Sequence, residues 1–516
     1  MTDFDFARAP AFLKAHEARE LDALAKGGSA EAGYALMCEA GRALALKALE
    51  LAHGEAVLVL MGGGNNGGDG LVCARLLLER GVRCRTVSLA QPERFRNEAR
   101  FAYEDFLRSG GELELLSEAS ALEPGSAGLV VDALLGTGAA GELRPLFAGV
   151  VAKVNSWKLP VLAADAPTGF DSAAGQAGPV CVRAAETLFF GSARLEAFEP
   201  LNAEFFGRVS VAALPFGEEL CRRFDSRVRL ATLELARELL PPRSEFLDKR
   251  GQGSALILAG SAKMPGAAAL ATGAALRSGA GLVTLATAEG NVPLVASKWS
   301  EPVFLPFTGE ALSIEAAPKI LQAEARNAAV CVGPGLSLAE SVLPALKELL
   351  PAFTKPLVLD ADALNALAGE KPLLGKVRAE AILTPHEREW ARLFGELPAG
   401  LAKRIEVVRA CAMECGKVLL LKASPVLVAL PDGMVLVVPA ANSGLAKGGS
   451  GDVLSGLLVS LLSQGADVAS AAVLGATLHQ LAGRLARKEF GARSMLPSDV
   501  VAALGQAFSA LEGGTP

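Results

Sequence analysis

Ala56-Val57-Leu58-Val59-Leu60-Met61 runs without a polar residue into Gly62-Gly63-Gly64-Asn65-Asn66-Gly67-Gly68-Asp69-Gly70, and an apolar helical pattern follows over 71–80. A short run apolar at every position reads as a strand buried on both faces, the signature of a parallel sheet. Glycines let the backbone approach a ligand, and amides at a helix start favour anions, so the loop occupies a ligand-binding position. Upstream, apolar residues at helical spacing over 11–51 predict one or two leading helices. Downstream, strand candidates at 82–89, 129–132, 161–164, 187–190 and 209–214 alternate with helical stretches, which predicts a doubly wound α/β domain.

A second series begins after Pro241-Pro242, with strands expected at 254–259, 282–286, 328–332, 357–359, 381–383 and 418–421. Pro431-Asp432-Gly433 between 426–430 and 435–438 signals a hairpin, which places a small antiparallel pair beside this second sheet. The charged segment 232–240, capped by the two prolines, reads as a connector rather than a buried element. The expected domains are therefore 1–225 and 226–516.

The 516 residues exceed one ordinary core, and 51% hydrophobic against 21% charged residues supports globular packing. A net charge of -6 and 5% aromatics against 55 glycines supply neither the basic field nor the stacking platforms that nucleic acid requires. Eight cysteines without a C-x-x-C pair, Cys411 and Cys415 being nearest each other, read as buried thiols in a reducing compartment. Aspartates stand where a leader would be basic, and no apolar run reaches membrane-span length, so a cytoplasmic enzyme of small molecules, assembled from like chains, is expected.

Gly62, Gly64 and Gly67 match G-x-G-x-x-G, but Arg83, Arg85 and Ser88 stand where a redox Rossmann domain needs an acidic residue. The two asparagines and Asp69 then form either a polar turn that caps the helix or part of a site. Two further strand ends favour the site: Asp132 leads to Gly136-Thr137-Gly138 and Gly141, and Asp165-Ala166-Pro167-Thr168-Gly169 ends the next strand. In a parallel sheet such loops converge on one crevice.

These residues resemble the YjeF N-terminal family, the NAD(P)HX epimerases, over about 10–215; Asn65 to Gly70 carries the match, with Met37-Cys38-Glu39-Ala40-Gly41 similar to the family's leading helix. The resemblance implies that Asn65, Asn66, Gly67, Gly68 and Asp69, with Gly136, Thr137, Gly138, Ala139, Ala140, Gly141 and Glu142, hold the hydrated cofactor. It also implies that Asn66, Asp132 and Thr168 bind K+, and an all-oxygen donor set suits a hard cation. Asp165 remains as the acid/base candidate beside the damaged ring. Thr168 stands where the family usually has serine, which keeps the oxygen.

In the second half, Asn442-Ser443-Gly444-Leu445-Ala446-Lys447-Gly448-Gly449-Ser450-Gly451-Asp452 precedes an apolar helix. Glycine amides there can neutralise a transferring phosphoryl group while Asp452 acts as base, the alternative being a helix cap. No Walker lysine motif is present. With Leu256 to Ser261, Met264-Pro265-Gly266-Ala267, Val332-Gly333-Pro334-Gly335, Leu359-Asp360-Ala361-Asp362 and Thr384-Pro385-His386, the half resembles the YjeF C-terminal family, the NAD(P)HX dehydratases of the ribokinase-like superfamily. The resemblance implies Asp452 as catalytic base. It places Ala267, Gly333 or Gly335, His386 and Asp452 at the hydrate, Lys422, Ala423, Ser424, Pro425, Val426 and Gly451 at the nucleotide, ADP as co-substrate, and Mg2+ on the phosphates. Asp360 and Asp362 serve metal, substrate or a turn.

Together the halves imply repair of NADHX and NADPHX. A ribokinase-like vitamin or sugar kinase joined to a non-catalytic ligand-binding domain is the competing reading.

Overall fold

A computed structural model describes residues 4–224 and 226–513. Asp225, at the boundary expected from sequence, lies outside the described residues. The chain divides into two compact units, Pro10–Ser226 and Met1–Ala9 with Arg227–Pro516. The opening residues thus belong with the second unit, where Phe6 and Ala9 are buried in its core with Ala231 and Leu235.

The first unit is built on β1 (Ala56–Met61), β2 (Cys84–Ser88), β3 (Glu114–Leu115), β4 (Ala127–Ala133) and β5 (Val161–Ala164), then a small antiparallel pair, β6 (Phe170–Asp171) and β7 (Gln176–Ala177), and finally β8 (Glu186–Phe190) and β9 (Arg208–Ala212). The main sheet is parallel in the order β3-β2-β1-β4-β5-β8-β9. Order reverses between β1 and β4, and a crevice opens beyond the carboxyl ends of strands at such a switch point. Every residue of β1 is buried, as its unbroken apolar run requires.

One boundary differs from the sequence reading. The helix after β1 begins at Asn65, not near Leu71, and spans Asn65–Glu79. Glycine costs helix stability, yet here it is required by close approach. A Cβ on Gly67 would stand 2.0 Å from the Gly62 carbonyl oxygen, and one on Gly70 2.7 Å from the Ala133 side chain. Asn65 to Asp69 therefore form the opening turns of the helix rather than a loop.

The second unit contains β10 (Val228–Leu230), β11 (Ser254–Leu258), β12 (Leu282–Ala288), β13 (Val303–Phe307), β14 (Ala329–Val332), β15 (Leu357–Leu359), β16 (Ala381–Leu383), β17 (Val418–Leu421), β18 (Val426–Ala429) and β19 (Val435–Val438). They form one sheet in the order β10-β19-β18-β17-β16-β15-β14-β11-β12-β13. β18 pairs antiparallel with both β17 and β19, so the expected hairpin extends the sheet instead of lying beside it.

The segment 232–240 is not a free connector. β10 pairs with β19, and the helix Leu233–Glu238 buries Leu235 and Ala236 against the second core. Its charged residues occupy one face only, which an overall count of charge hides. The cysteines also divide: Cys73, Cys181 and Cys331 are buried, whereas Cys38, Cys84, Cys411 and Cys415 are half-buried. Among the described residues no helix is long and apolar enough to cross a membrane.

Candidate active sites

In the first unit the carboxyl ends of β1, β4 and β5 surround a cavity of about 450 Å³. Asn65, Asn66 and Asp69 line it from the helix after β1, Gly136, Thr137, Gly138 and Ala139 from the loop after β4, and Asp165 from the end of β5. Asp165 adopts φ 63°, a left-handed conformation that costs a non-glycine residue energy and is retained where a side chain must be aimed. Its Oδ2 accepts the Thr137 backbone N–H at 3.0 Å and the Thr137 hydroxyl at 2.6 Å.

Behind this wall lie Asp132 and Thr168, each 1% exposed. Asp132 accepts the Thr168 hydroxyl at 2.7 Å, the Thr168 N–H at 2.8 Å and the Leu134 N–H at 3.2 Å. Burial nevertheless pushes the Asp132 carboxyl up to about 6, against the pull of those donors. Both amide atoms of Asn66 are buried without a partner. An orphaned amide oxygen, a hydroxyl and a buried carboxylate are donors that a hard, oxygen-seeking cation would satisfy, so these residues fit the implied K+.

Other expected residues do not line the cavity. Gly67 and Gly68 are buried inside the helix packing, with a Cβ on Gly68 meeting Met37 at 2.6 Å. Ala140, Gly141 and Glu142 are exposed, and the Gly141 N–H is directed to Asp171 at 2.9 Å. Conversely, Arg19 and Asp22 from the helix Ala15–Lys26, and Ser192 and Arg194 after β8, line the cavity and carried no sequence motif. Burial pushes the Asp22 carboxyl up and that of Asp69 far up, with Asp165 adding repulsion to each.

In the second unit the same sheet end gathers the carboxyl termini of five strands. After β14, Gly333 takes φ 134° so closely against the Asp360 backbone that a Cβ would meet its carbonyl at 1.8 Å, and a Cβ on Gly335 would meet the Ala267 side chain at 2.8 Å. Beyond β16 and β17, His386 and Lys422 form a parallel bridge. Lys422 Nζ lies 2.6 Å from Asp360 Oδ1 and 3.6 Å from Glu389. A Cβ on Gly451 would stand 3.3 Å from that Nζ. These contacts bring Ala267, Gly333, Gly335, His386, Lys422 and Gly451 into one cluster.

Asp452 sits in the first turn of the helix Ser450–Ser463, whose cap Gly449 is left-handed at φ 101°. Burial first, and the Asp360 carboxylate second, push Asp452 up to about 7, with Lys422 opposing. One turn on, the Ser455 hydroxyl donates to Asp360 Oδ2 at 2.6 Å, which ties the helix to the Lys422–Asp360 pair. His386 is also a helix cap, accepting the Arg388 and Glu389 N–H groups on Nδ1 at 3.0 and 3.2 Å. On the other side of the ring, Nε2 lies 3.4 Å from Glu389 Oε1, so both ring nitrogens face their own helix. Ser455 and Glu389 were missed in the sequence, although Ser455 follows Asp452 by three residues on one helix face.

The segment 422–426, expected from sequence to meet the nucleotide, is the tight connection between β17 and β18. Pro425 and Val426 are buried, Ser424 is exposed and donates to the Ala440 carbonyl, and the Lys422 charge is spent on Asp360. Asp360 uses both oxygens on Lys422 and Ser455, and Asp362 accepts the Ser337 N–H at 2.8 Å. Among the described residues no group of three or more His, Cys, Asp and Glu side chains could hold a metal ion there.

Compared with family models, residues 255–505 match NAD(P)H-hydrate dehydratase and residues 33–195 match YjeF-related protein N-terminus. The bifunctional NAD(P)H-hydrate repair enzyme Nnr of Moorella thermoacetica is 38% identical over 454 residues, covering 86% of each chain. That of Coxiella burnetii is 33% identical over 486 residues, covering 93% of this chain and 96% of its own. Among solved structures, the ADP/ATP-dependent NAD(P)H-hydrate dehydratase of Bacillus subtilis, co-crystallised with ATP and Mg2+, is 31% identical with a TM-score of 0.47, covering 55% of this chain and 98% of that one.

Proposed function

The chain belongs to the family of bifunctional NAD(P)H-hydrate repair enzymes, and from that premise we propose how its two clusters divide the work. It is an NAD(P)H-hydrate epimerase and dehydratase in one polypeptide. The vitamin- or sugar-kinase reading is not favoured by full-length relatives that carry the repair name.

The unit Pro10–Ser226 takes the epimerase role, with the hydrated ring against Asp165. The hydroxyl leaves the ring carbon as water and water returns on the other face, so one proton must be given to the departing oxygen and one taken from the entering water; Asp165 mediates this transfer. Asn66, Asp132 and Thr168 would hold K+, which would supply positive charge to the site.

The unit containing Arg227–Pro516 takes the dehydratase role and uses a nucleoside phosphate, ADP. Asp452 removes the proton of the ring hydroxyl, whose oxygen attacks the terminal phosphorus while AMP departs. Hydroxide is a poor leaving group and phosphate a good one. Phosphate then leaves the ring carbon as a proton is lost from its neighbour, which restores the dihydronicotinamide. Glycine amides at the start of the Asp452 helix meet the transferring group, and His386 lies beside the hydrate. Mg2+, bound with the nucleotide rather than by a carboxylate cluster of the chain, would supply positive charge to the phosphates.

The observation that supports this division is the placement of one aspartate in each unit at a strand-end cluster, Asp165 on its cavity wall and Asp452 with its affinity for protons raised to about 7. The test supplies a mixture of hydrate epimers with ADP or ATP and follows recovery of reduced-nicotinamide absorbance. Full recovery with ADP is expected; phosphorylation of a pyrimidine alcohol with the hydrates untouched would overturn the reading.

A further inference from the structure

We propose that Arg194 forms a phosphate subsite in the first cavity and holds the phosphate joined through ribose to the damaged ring. The proposal rests on the reading of that cavity as the hydrate-binding site.

Arg194 lines the cavity, yet the residue as a whole is only 3% exposed. Its Nη1 donates to the Ser192 carbonyl at 2.9 Å, the Ser192 hydroxyl at 2.8 Å and the Ala193 carbonyl at 3.2 Å. All three acceptors are neutral. Nε is buried with no hydrogen-bond partner, and among the described residues no carboxylate lies within ion-pair distance of the guanidinium. A buried cation without a counter-charge is costly, and protein interiors retain one where a partner charge arrives from elsewhere.

The acids nearby do not supply that partner. Asp22 and Glu196 feel the Arg194 charge from beyond contact distance, and burial pushes both carboxyls up. The cation is thus oriented by two backbone carbonyls and the Ser192 hydroxyl on Nη1 and by the Phe189 ring 5.6 Å from Cζ, while Nη2, with no hydrogen-bond partner among the described residues, and the charge are left for a ligand such as phosphate.

The sheet order supplies the distance. β8 lies beside β5 in register, Ala164 opposite Leu188. Asp165 follows β5 directly, and Arg194 comes four residues after β8. Neighbouring strands are roughly 4.8 Å apart. Asp165 and Arg194 thus follow neighbouring strands and line the same cavity, so a ligand whose ring lies on Asp165 can turn its ribose phosphate toward Arg194.

The test compares epimerisation of three hydrates, those of the reduced dinucleotide, the reduced mononucleotide and the phosphate-free riboside, by wild-type, R194M and R194K chains. R194M is expected to lose about ten- to hundredfold in kcat/KM on the two phosphate-bearing hydrates, mostly through KM, and at least about tenfold less on the riboside hydrate. R194K, which keeps the charge and loses the fork, is expected to fall between R194M and wild type on the same ratio, and it decides the matter if R194M fails to fold. Equal losses on all three hydrates, as a purely structural role in the 192–194 turn would give, or no loss at all, would overturn the phosphate subsite alone. A wild-type chain inert toward every hydrate would overturn the reading of the cavity together with it.

Discussion

Asp452 acts as a base only when deprotonated, and its affinity for protons is raised to about 7 by burial and by Asp360. Below that value the carboxyl is protonated and cannot accept the hydroxyl proton, so kcat for dehydration is expected to rise with pH through about 7. The two neighbours push in opposite directions. D360N removes a negative charge and is expected to move the acid limb to lower pH, whereas K422M removes a positive charge and is expected to move it to higher pH. A pH profile of single-turnover dehydration checks both; shifts of the same sign would show that the pair acts through structure alone. In the other unit, D165N keeps the shape of the side chain and removes its basicity, so epimerisation is expected to fall at least about a hundredfold while dehydration continues. That outcome is read by following each hydrate epimer separately.

At the scale of elements, glycines set how closely the site-bearing helices approach their neighbours. A Cβ on Gly456 would stand 2.0 Å from the Ala271 carbonyl oxygen, where the helix Ser450–Ser463 crosses the helix Pro265–Arg277. G456A is expected to force the two apart, lowering stability by about 1–3 kcal/mol, and to reduce dehydration, because the displaced helix carries Asp452. Gly505, in the helix Pro497–Leu511, faces open space. G505A is expected instead to stabilise the chain by about 0.5–1 kcal/mol. Chemical denaturation of the two variants side by side measures both signs.

At the scale of the molecule, each unit holds its own cluster, and the repaired metabolite need only diffuse between them. An equimolar mixture of D165N and D452N chains is therefore expected to recover both hydrate epimers, although each chain alone fails in one step. The opening segment contributes to the second unit: Phe6 packs in that core and meets Phe4 edge-to-face at 5.2 Å. F6A is expected to cost about 3 kcal/mol there, and a thermal scan of dehydratase activity against epimerase activity shows which unit loses stability first.

The sequence by itself determined the two α/β sheets and the segments at strand ends and helix starts that bear Asn66, Asp165, His386 and Asp452. Parallel strands are buried on both faces and read as unbroken apolar runs, and glycine loops mark where backbone must come close. It missed the short or mixed strands β3, β10 and β13, of which β10 pairs with the distant β19, and it took the amphipathic helix Leu233–Glu238 for a connector. Only the tertiary structure decided that Asp22 and Arg194 line the first cavity with Asp165, and that Asp360, Lys422, Glu389 and Ser455 lie together beside the helix of Asp452. Which distant side chains share a low-dielectric space is fixed by strand order and packing, and no local pattern encodes it.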